Sequence, residues 1–500
     1  MNCCKIQEAV VKKNILILTL IIIPFLLFSQ SGIKFDDYFV NKTMRIDYYH
    51  IGDAKEEFIT IDQIYQQGTW AGNPNKLIDP FNNGKYEIKV YDVASNWLIY
   101  SKGYATYFGE YTTTNPAIDG IKRTYHETAL IPYPKKPILL VIEKRNRENI
   151  LQPLFQRKID PADFRILKST VSNAEKVYEA LISGNPHQTI DLAWIAEGYA
   201  LQEYDKFKKD VDRLIAALFD VEPYKSHKNK FNIYGVFKPS QESGVDQPRE
   251  DIFRNTAINS SFNALDLDRY LLTEDNKSMQ DIAAAVPFDA IVILVNSPRY
   301  GGGGIYNFYA ISTVDHELSE NVFIHEFGHS FAGLGDEYYT SDVSYNEFYP
   351  PGVEPTDPNI TALLDPDKIK WKDLISPGVS IPTDWGKDEI EALQAEQQKI
   401  RKEMRAQVAQ LEKSGASKSK IEKVKADFQK KSDAITKQLD QVLEKHSHLS
   451  DKVGAFEGAG YSATGLYRPM MNCLMFGNRE RKFCIVCQRA IERMIEFYSE

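Results

Sequence analysis

The tightest constraint on how this chain can fold is the stretch from Ile324 to Glu337, Ile-His-Glu-Phe-Gly-His-Ser-Phe-Ala-Gly-Leu-Gly-Asp-Glu. It contains His-Glu-x-x-His. On an α-helix, residues four apart share one face, about 6 Å apart along the axis. His325 and His329 then present two imidazoles to one point, which suits a zinc ion that keeps an open coordination position. Glu326 sits one residue round from His325, where it reaches a water on such a metal without being a ligand. Apolar residues from Val322 to Ile324 lead in, and Phe327, Phe331 and Leu334 continue at spacings of four and three, so a helix is expected. Gly333 and Gly335 should end it. Gly328, inside the helix, costs roughly 1 kcal/mol against alanine. That cost calls for a close neighbour, a strand or a substrate. A His pair at this spacing also arises by chance, but the following Gly-x-x-Asp and an apparent export signal favour the metal reading.

The export signal is residues 1–30. Lys12 and Lys13 precede an apolar run from Ile15 to Phe28, and Ser29-Gln30-Ser31-Gly32 offers a cleavage region. The run is short for a membrane span, and an uncleaved anchor is the alternative. Cys3 and Cys4 precede it, so they are not placed as a lipoprotein cysteine would be. The expected location is secreted, periplasmic or cell-surface. No other stretch is long and apolar enough to cross a bilayer. The net charge is −9. Lys5, Lys12 and Lys13 against Glu8 make the leader positive by two, so the remainder carries −11. That disfavours nucleic acid and anionic membranes as partners. Three cysteines remain after the leader. Outside the cytosol Cys473 is expected to bridge Cys484 or Cys487, with one thiol left over. No second Cys pair or nearby His completes a metal site around Cys484-Ile485-Val486-Cys487.

Five hundred residues exceed one core, so two or three domains are expected. Residues 33–155 read as an all-β sandwich. Met44–Tyr48 and Tyr86–Asp92 alternate, Trp97–Tyr100 follows a turn, and Pro137–Glu143 reads as a buried strand. From about residue 160 strands and helices alternate. Thr189–Ile195 and Phe231–Phe237 are strands, Tyr204–Phe219 is an amphipathic helix, and Ala290–Val295 is apolar enough to lie mid-sheet with both faces covered. This predicts an α/β domain over 160–500. Gly301 to Gly304 offer bare backbone to a close neighbour. Either the strand after them is a sheet edge beside the His-bearing helix, pairing with an extended substrate, or they form a flexible turn. Apolar residues at coiled-coil spacing from Ile390 to Leu411 and from Ile421 to Val442 flank Ser414–Ser417, predicting an inserted antiparallel helical hairpin over 385–448. It is expected to be a solvated structural insertion, with contact to a partner or a substrate gate as the alternative. His446 and His448 read as surface residues.

The sequence from His325 to Tyr338 resembles the active site of the IgA peptidase family, the igalysins, among the metzincin zinc peptidases. The likeness extends to Pro287–Asn307, Asn359–Thr361, Trp371–Leu374, Phe456–Tyr461 and Asn472–Met475. Residues 33–150 are similar to that family's N-terminal domain. The hairpin lies outside the resemblance. The implied protein is an exported zinc endopeptidase of α+β multidomain fold. Its β-sandwich is followed by a metzincin-like α/β domain, and its substrate is a protein or peptide. In metzincins a glycine follows the second His by three and the third ligand follows that glycine by three. Here Gly333 is four beyond His329, and Asp336 keeps the second step. The implied zinc ligands are His325, His329 and Asp336, with Glu337 as runner-up and Glu326 as general base. A more distant third ligand, Glu457, is the thermolysin-like alternative. The family's methionine beneath the metal would be Met475, ahead of Met470 and Met471. Tyr461 or Arg468 is a candidate to hydrogen-bond the oxyanion. A non-catalytic binding or adhesion protein with a structural zinc is the rival class.

Overall fold

The computed structural model describes residues 32–168, 172–340, 348–477 and 481–500. The expected leader, residues 1–30, lies outside them. In chain order the first elements are α1 (Phe35–Tyr38), β1 (Phe39–Gly52), β2 (Glu57–Gln66), β3 (Tyr86–Asp92), β4 (Leu98–Tyr104), α2 (Tyr107–Tyr111), α3 (Asn115–Ile118), β5 (Arg123–Pro134), β6 (Ile138–Arg145) and β7 (Leu151–Ile159). They make two antiparallel sheets, ordered β2-β1-β5 and β4-β3-β6-β7. Tyr48 and Tyr104 join the sheets by a 3.0 Å hydroxyl–hydroxyl bond, and His50 meets the edge of Tyr86. The region is not all-β, because α1 to α3 interrupt it. Each is too short to show a helical period in sequence, and α2 is set locally by Thr106, whose hydroxyl accepts from the Gly109 amide.

The second part holds β8 (Lys176–Leu181), β9 (Ile190–Glu197), α4 (Tyr204–Leu218), β10 (Phe231–Phe237), α5 (Asn276–Ala283), β11 (Ala290–Val295), β12 (Gly302–Ile305), β13 (Tyr309–Thr313) and α6 (Ser319–Ala332). Its six-stranded sheet is ordered β12-β13-β11-β9-β10-β8. The four middle strands are parallel; β8 and β12 run antiparallel at the two edges. Alternate residues serve opposite faces. Leu192, Trp194, Val292 and Leu294 pack with α4 and α6, while Ala193, Ile195, Ile291 and Ile293 pack with α5 and with Tyr107, Phe108 and Tyr125 of the N-terminal region. Both faces are covered, which is why these strands read as unbroken apolar runs. A buried ion pair, Arg45 with Asp281 at 2.5 Å, ties β1 to α5.

The chain then forms α7 (Lys387–Lys413) and α8 (Lys418–Lys445), followed by β14 (Phe456–Ala459), β15 (Ser462–Arg468) and α9 (Ile485–Ser499). Gln397 of α7 reaches Thr436 of α8, and Lys445 reaches Glu389, so the two helices run in opposite directions. At their base Ile390 and Val442 pack with Trp385, Leu449 and Phe456, and farther out along α8 Ile435 and Phe428 are also buried. Among the described residues no helix is long and apolar enough to cross a membrane.

Candidate functional site

Helix α6 carries His325, Glu326 and His329. It stops where the side chains stop favouring it. Gly333 adopts φ +62°, and the amides of Gly333 and Leu334 bond back to the carbonyls of His329 (3.0 Å) and Gly328 (3.3 Å). That left-handed turn sends the chain back towards the helix. The Leu334 carbonyl accepts from His329 Nδ1 at 2.5 Å, and the Leu474 carbonyl accepts from His325 Nδ1 at 3.0 Å. With both Nδ1 atoms committed to carbonyls, both Nε2 atoms face the site.

The two Nε2 atoms lie 3.1 Å apart, and Asp336 Oδ1 lies 3.0 Å from one and 3.2 Å from the other. Three donors at 2.0–2.1 Å from a tetrahedral zinc would be separated by about 3.3 Å. The triangle therefore fits a zinc-sized cation. Asp336 Oδ1 takes no hydrogen bond of acceptable geometry among the described residues, whereas Oδ2 accepts from the Tyr461 hydroxyl. Ligand-capable atoms of Glu326 and the two histidines lie within 4.8 Å of one another, so Glu326 stands beside the same point.

The electrostatics have the same origin. Burial disfavours charge on His329, but the Asp336 carboxylate outweighs it and raises its pKa to about 10. Asp336 is itself buried, yet His329 and His325 hold its carboxyl well below the usual range. Burial pushes the Glu326 carboxyl upward, against the pull of the two histidines. A raised carboxylate is a better proton acceptor. The site opens on a cleft of about 1360 Å³, whose wall includes Gly304, Arg269, Tyr338, Gln394 and Leu439.

The glycines have specific neighbours. A Cβ on Gly328 would meet Met475 Sδ at 3.2 Å and Leu334 and Phe483 at 3.3 Å, so the helix glycine makes room for side chains rather than for a strand or substrate. Met475 is fully buried there, and its carbonyl accepts from the Glu337 amide at 2.9 Å. Gly302 to Gly304 are not a turn before an edge strand. They are themselves in the edge strand β12, and the strand after them, β13, lies inside the sheet. A Cβ on Gly304 would stand 2.3 Å from the Glu326 carbonyl oxygen, and one on Gly302 would stand 2.8 Å from Val322. Bare backbone is what lets β12 lie against α6 at the site.

Other candidates fall elsewhere. Glu337, the next residue after Asp336, faces away from the histidines into a group of three cysteines. Glu457 pairs with Lys387 at 3.1 Å. Arg468 is buried, with its guanidinium on the Gly458 and Glu457 carbonyls; Tyr461 is bonded to Asp336. His446 is buried rather than on the surface, its Nδ1 on the Val442 carbonyl. Cys473, Cys484 and Cys487 are thiols, with Cys473 Sγ and Cys487 Sγ at 3.7 Å, well beyond a disulfide's roughly 2.05 Å. Sequence reasoning missed Arg269 and Tyr338, which meet at 3.4 Å on the cleft wall. It also assigned no role to Asn359, which bonds both the amide and the carbonyl of Gly335. No local pattern marks Arg269, and Tyr338 and Asn359 stood out only within a resemblance.

Comparison with known families adds the last observation. No curated protein matches this chain. Residues 34–156 match the family described as Peptidase M64 N-terminus, and residues 179–495 match that described as IgA Peptidase M64. With its His-Glu-x-x-His helix and nearly all of its described length inside these two matches, the chain belongs to the IgA peptidase M64 family of peptidases.

Proposed function

We propose that this protein is an exported zinc endopeptidase of metzincin-like design, with residues 33–155 as an N-terminal domain, 160–500 as the catalytic domain and the hairpin as an insertion within it. The observation that carries the reading is the triangle of His325 Nε2, His329 Nε2 and Asp336 Oδ1, with the Glu326 carboxylate beside it in a large cleft. These three residues would hold the ion. A zinc ion held there would supply Lewis-acid chemistry towards a water and a scissile carbonyl.

The chain's own residues do the rest. Glu326 accepts the proton of the attacking water and delivers it to the departing amine nitrogen. The Leu334 and Leu474 carbonyls hold the imidazoles in one tautomer, and Tyr461 fixes the free oxygen of Asp336. Strand β12 flanks Glu326 and offers backbone groups to an extended peptide, which is how sheet edges bind chains. The Tyr270–Gly302 bridge occupies part of that edge. The substrate is a protein or peptide; the family's name makes immunoglobulin A the first to try.

Replacing Glu326 with Gln tests the assignment. Zinc content should stay that of the wild type, while hydrolysis of an unbiased peptide library should fall by at least about 10²–10⁴-fold. Loss of hydrolysis with zinc retained also separates an enzyme from a binding protein with a structural metal. Undiminished hydrolysis would remove Glu326 from its role.

A further inference from the structure

The three thiols left out of the catalytic account converge on one carboxylate. Ligand-capable atoms of Glu337, Cys473, Cys484 and Cys487 all lie within 4.8 Å of one another, and all four residues are buried. Cys473 Sγ and Cys487 Sγ are 3.7 Å apart; Glu337 Oε1 is 3.2 Å from Cys487 Sγ and 3.9 Å from Cys484 Sγ. Thiolates at 2.3 Å from a tetrahedral zinc are about 3.8 Å apart, and a thiolate and a carboxylate oxygen about 3.5 Å apart. The sulfur–sulfur distance of 3.7 Å is close to the first value, and the sulfur–oxygen distances of 3.2 and 3.9 Å bracket the second.

A disulfide accounts for less. It would use two of the three sulfurs and leave the third thiol and the fully buried Glu337 carboxylate unused. Glu337 Oε2 takes no hydrogen bond among the described residues. A four-coordinate metal uses all four groups. The surroundings also suit thiolates. The Cys484 amide points at Cys473 Sγ (3.3 Å), and the Cys487 amide points at Cys484 Sγ (3.4 Å) at the N-terminus of α9. Asn359 Nδ2 orients Glu337 Oε1 from 3.0 Å, as a metal's outer shell does. The buried Arg468 guanidinium acts electrostatically on both Glu337 and Cys473, offsetting their charge.

We propose that Glu337, Cys473, Cys484 and Cys487 form a second, closed and structural zinc site. Sequence spacing hides it because the fourth ligand lies 150 residues before Cys487. Glu337 follows Asp336 directly, so the site anchors the loop that carries Asp336 to α9 and to the segment around Met475.

The test is metal counting on the full chain, independent of peptidase activity. Wild type should carry two zinc ions. The double variant His325→Ala/His329→Ala should keep one, and cobalt(II) loaded into that folded variant should give a sulfur-to-cobalt charge-transfer band. Adding Cys484→Ser and Cys487→Ser should abolish the band and the second ion. A folded histidine variant that binds no zinc, or cobalt without thiolate charge transfer, overturns the proposal. So does a Cys473 disulfide found by mass spectrometry of the native chain. A wild type that carries one zinc, and keeps it when both histidines are lost, would support this site and count against the catalytic one, so the two readings fail separately.

Discussion

Gly304→Ala is the substitution whose effect the structure defines most sharply. The new Cβ would sit 2.3 Å from the Glu326 carbonyl oxygen and 2.9 Å from His329 Cβ, where ordinary contact begins at 3.4 Å. A backbone oxygen inside a helix cannot rotate away, so β12 and α6 must part by about 1 Å. Overpacking of this kind costs about 1–3 kcal/mol. Alanine returns roughly 0.5–1 kcal/mol of that by restricting the unfolded chain. The larger effect should be catalytic, since a 1 Å misplacement of reacting groups costs on the order of 10²-fold in rate. Gly303→Ala, in the same strand, is the control. Its Cβ faces Leu272 Cδ2, the far end of a side chain, at 2.7 Å, and the Leu271 carbonyl oxygen and the Tyr270 ring at 3.1 Å, so its nearest backbone atom is 0.8 Å farther than that of Gly304. The assay is kcat/KM on a quenched-fluorescent peptide, together with thermal unfolding and zinc content. Gly304→Ala should lose roughly 10²-fold in kcat/KM. If it matches Gly303→Ala in both rate and Tm, the close approach of β12 to α6 is not what requires glycine.

Two further predictions concern the N-terminal sheets. Arg45→Met should destabilise by about 3–5 kcal/mol in chemical unfolding, because it leaves Asp47 and Asp281 without their buried guanidinium partner. His50 is buried between Glu127 at 2.9 Å and Glu57 at 3.3 Å, with Lys144 also on Glu57 and Phe108 stacked on the ring. Burial opposes its protonation, but Glu127 and Glu57 together raise its pKa above the ordinary 6.5. A raised folded pKa stabilises fully below the unfolded value of about 6.5 and loses that contribution as pH climbs through the folded one. The stability gap between wild type and His50→Gln should therefore be larger at about pH 6 than at about pH 9. An unchanged gap would mean that folding leaves the His50 pKa at its unfolded value, and a smaller gap at about pH 6 that the buried ring stays neutral.

Much of this protein is readable from sequence alone, and the legible parts share one physical property. A His pair four apart with a glycine stop needs only helix geometry to bring two rings together, and α6 does so. The apolar run at Ala290–Val295 needs only the two-residue period of a strand, and it lies between β9 and β13 with both faces covered. What tertiary structure decided are the contacts that depend on where distant segments meet. Asp336 and Glu337 are chemically alike neighbours. Only the path of the chain after Gly333 turns one carboxylate to the histidines and the other to three cysteines more than a hundred residues away. Likewise, four glycines in a row announce a close approach without naming the neighbour, which the packing of β12 on α6 supplies. Local periodicity is set by backbone geometry within a few residues. The choice of a donor is set by loop closure across the fold, and the spacing from Gly333 to Asp336 pointed to it only through a family resemblance.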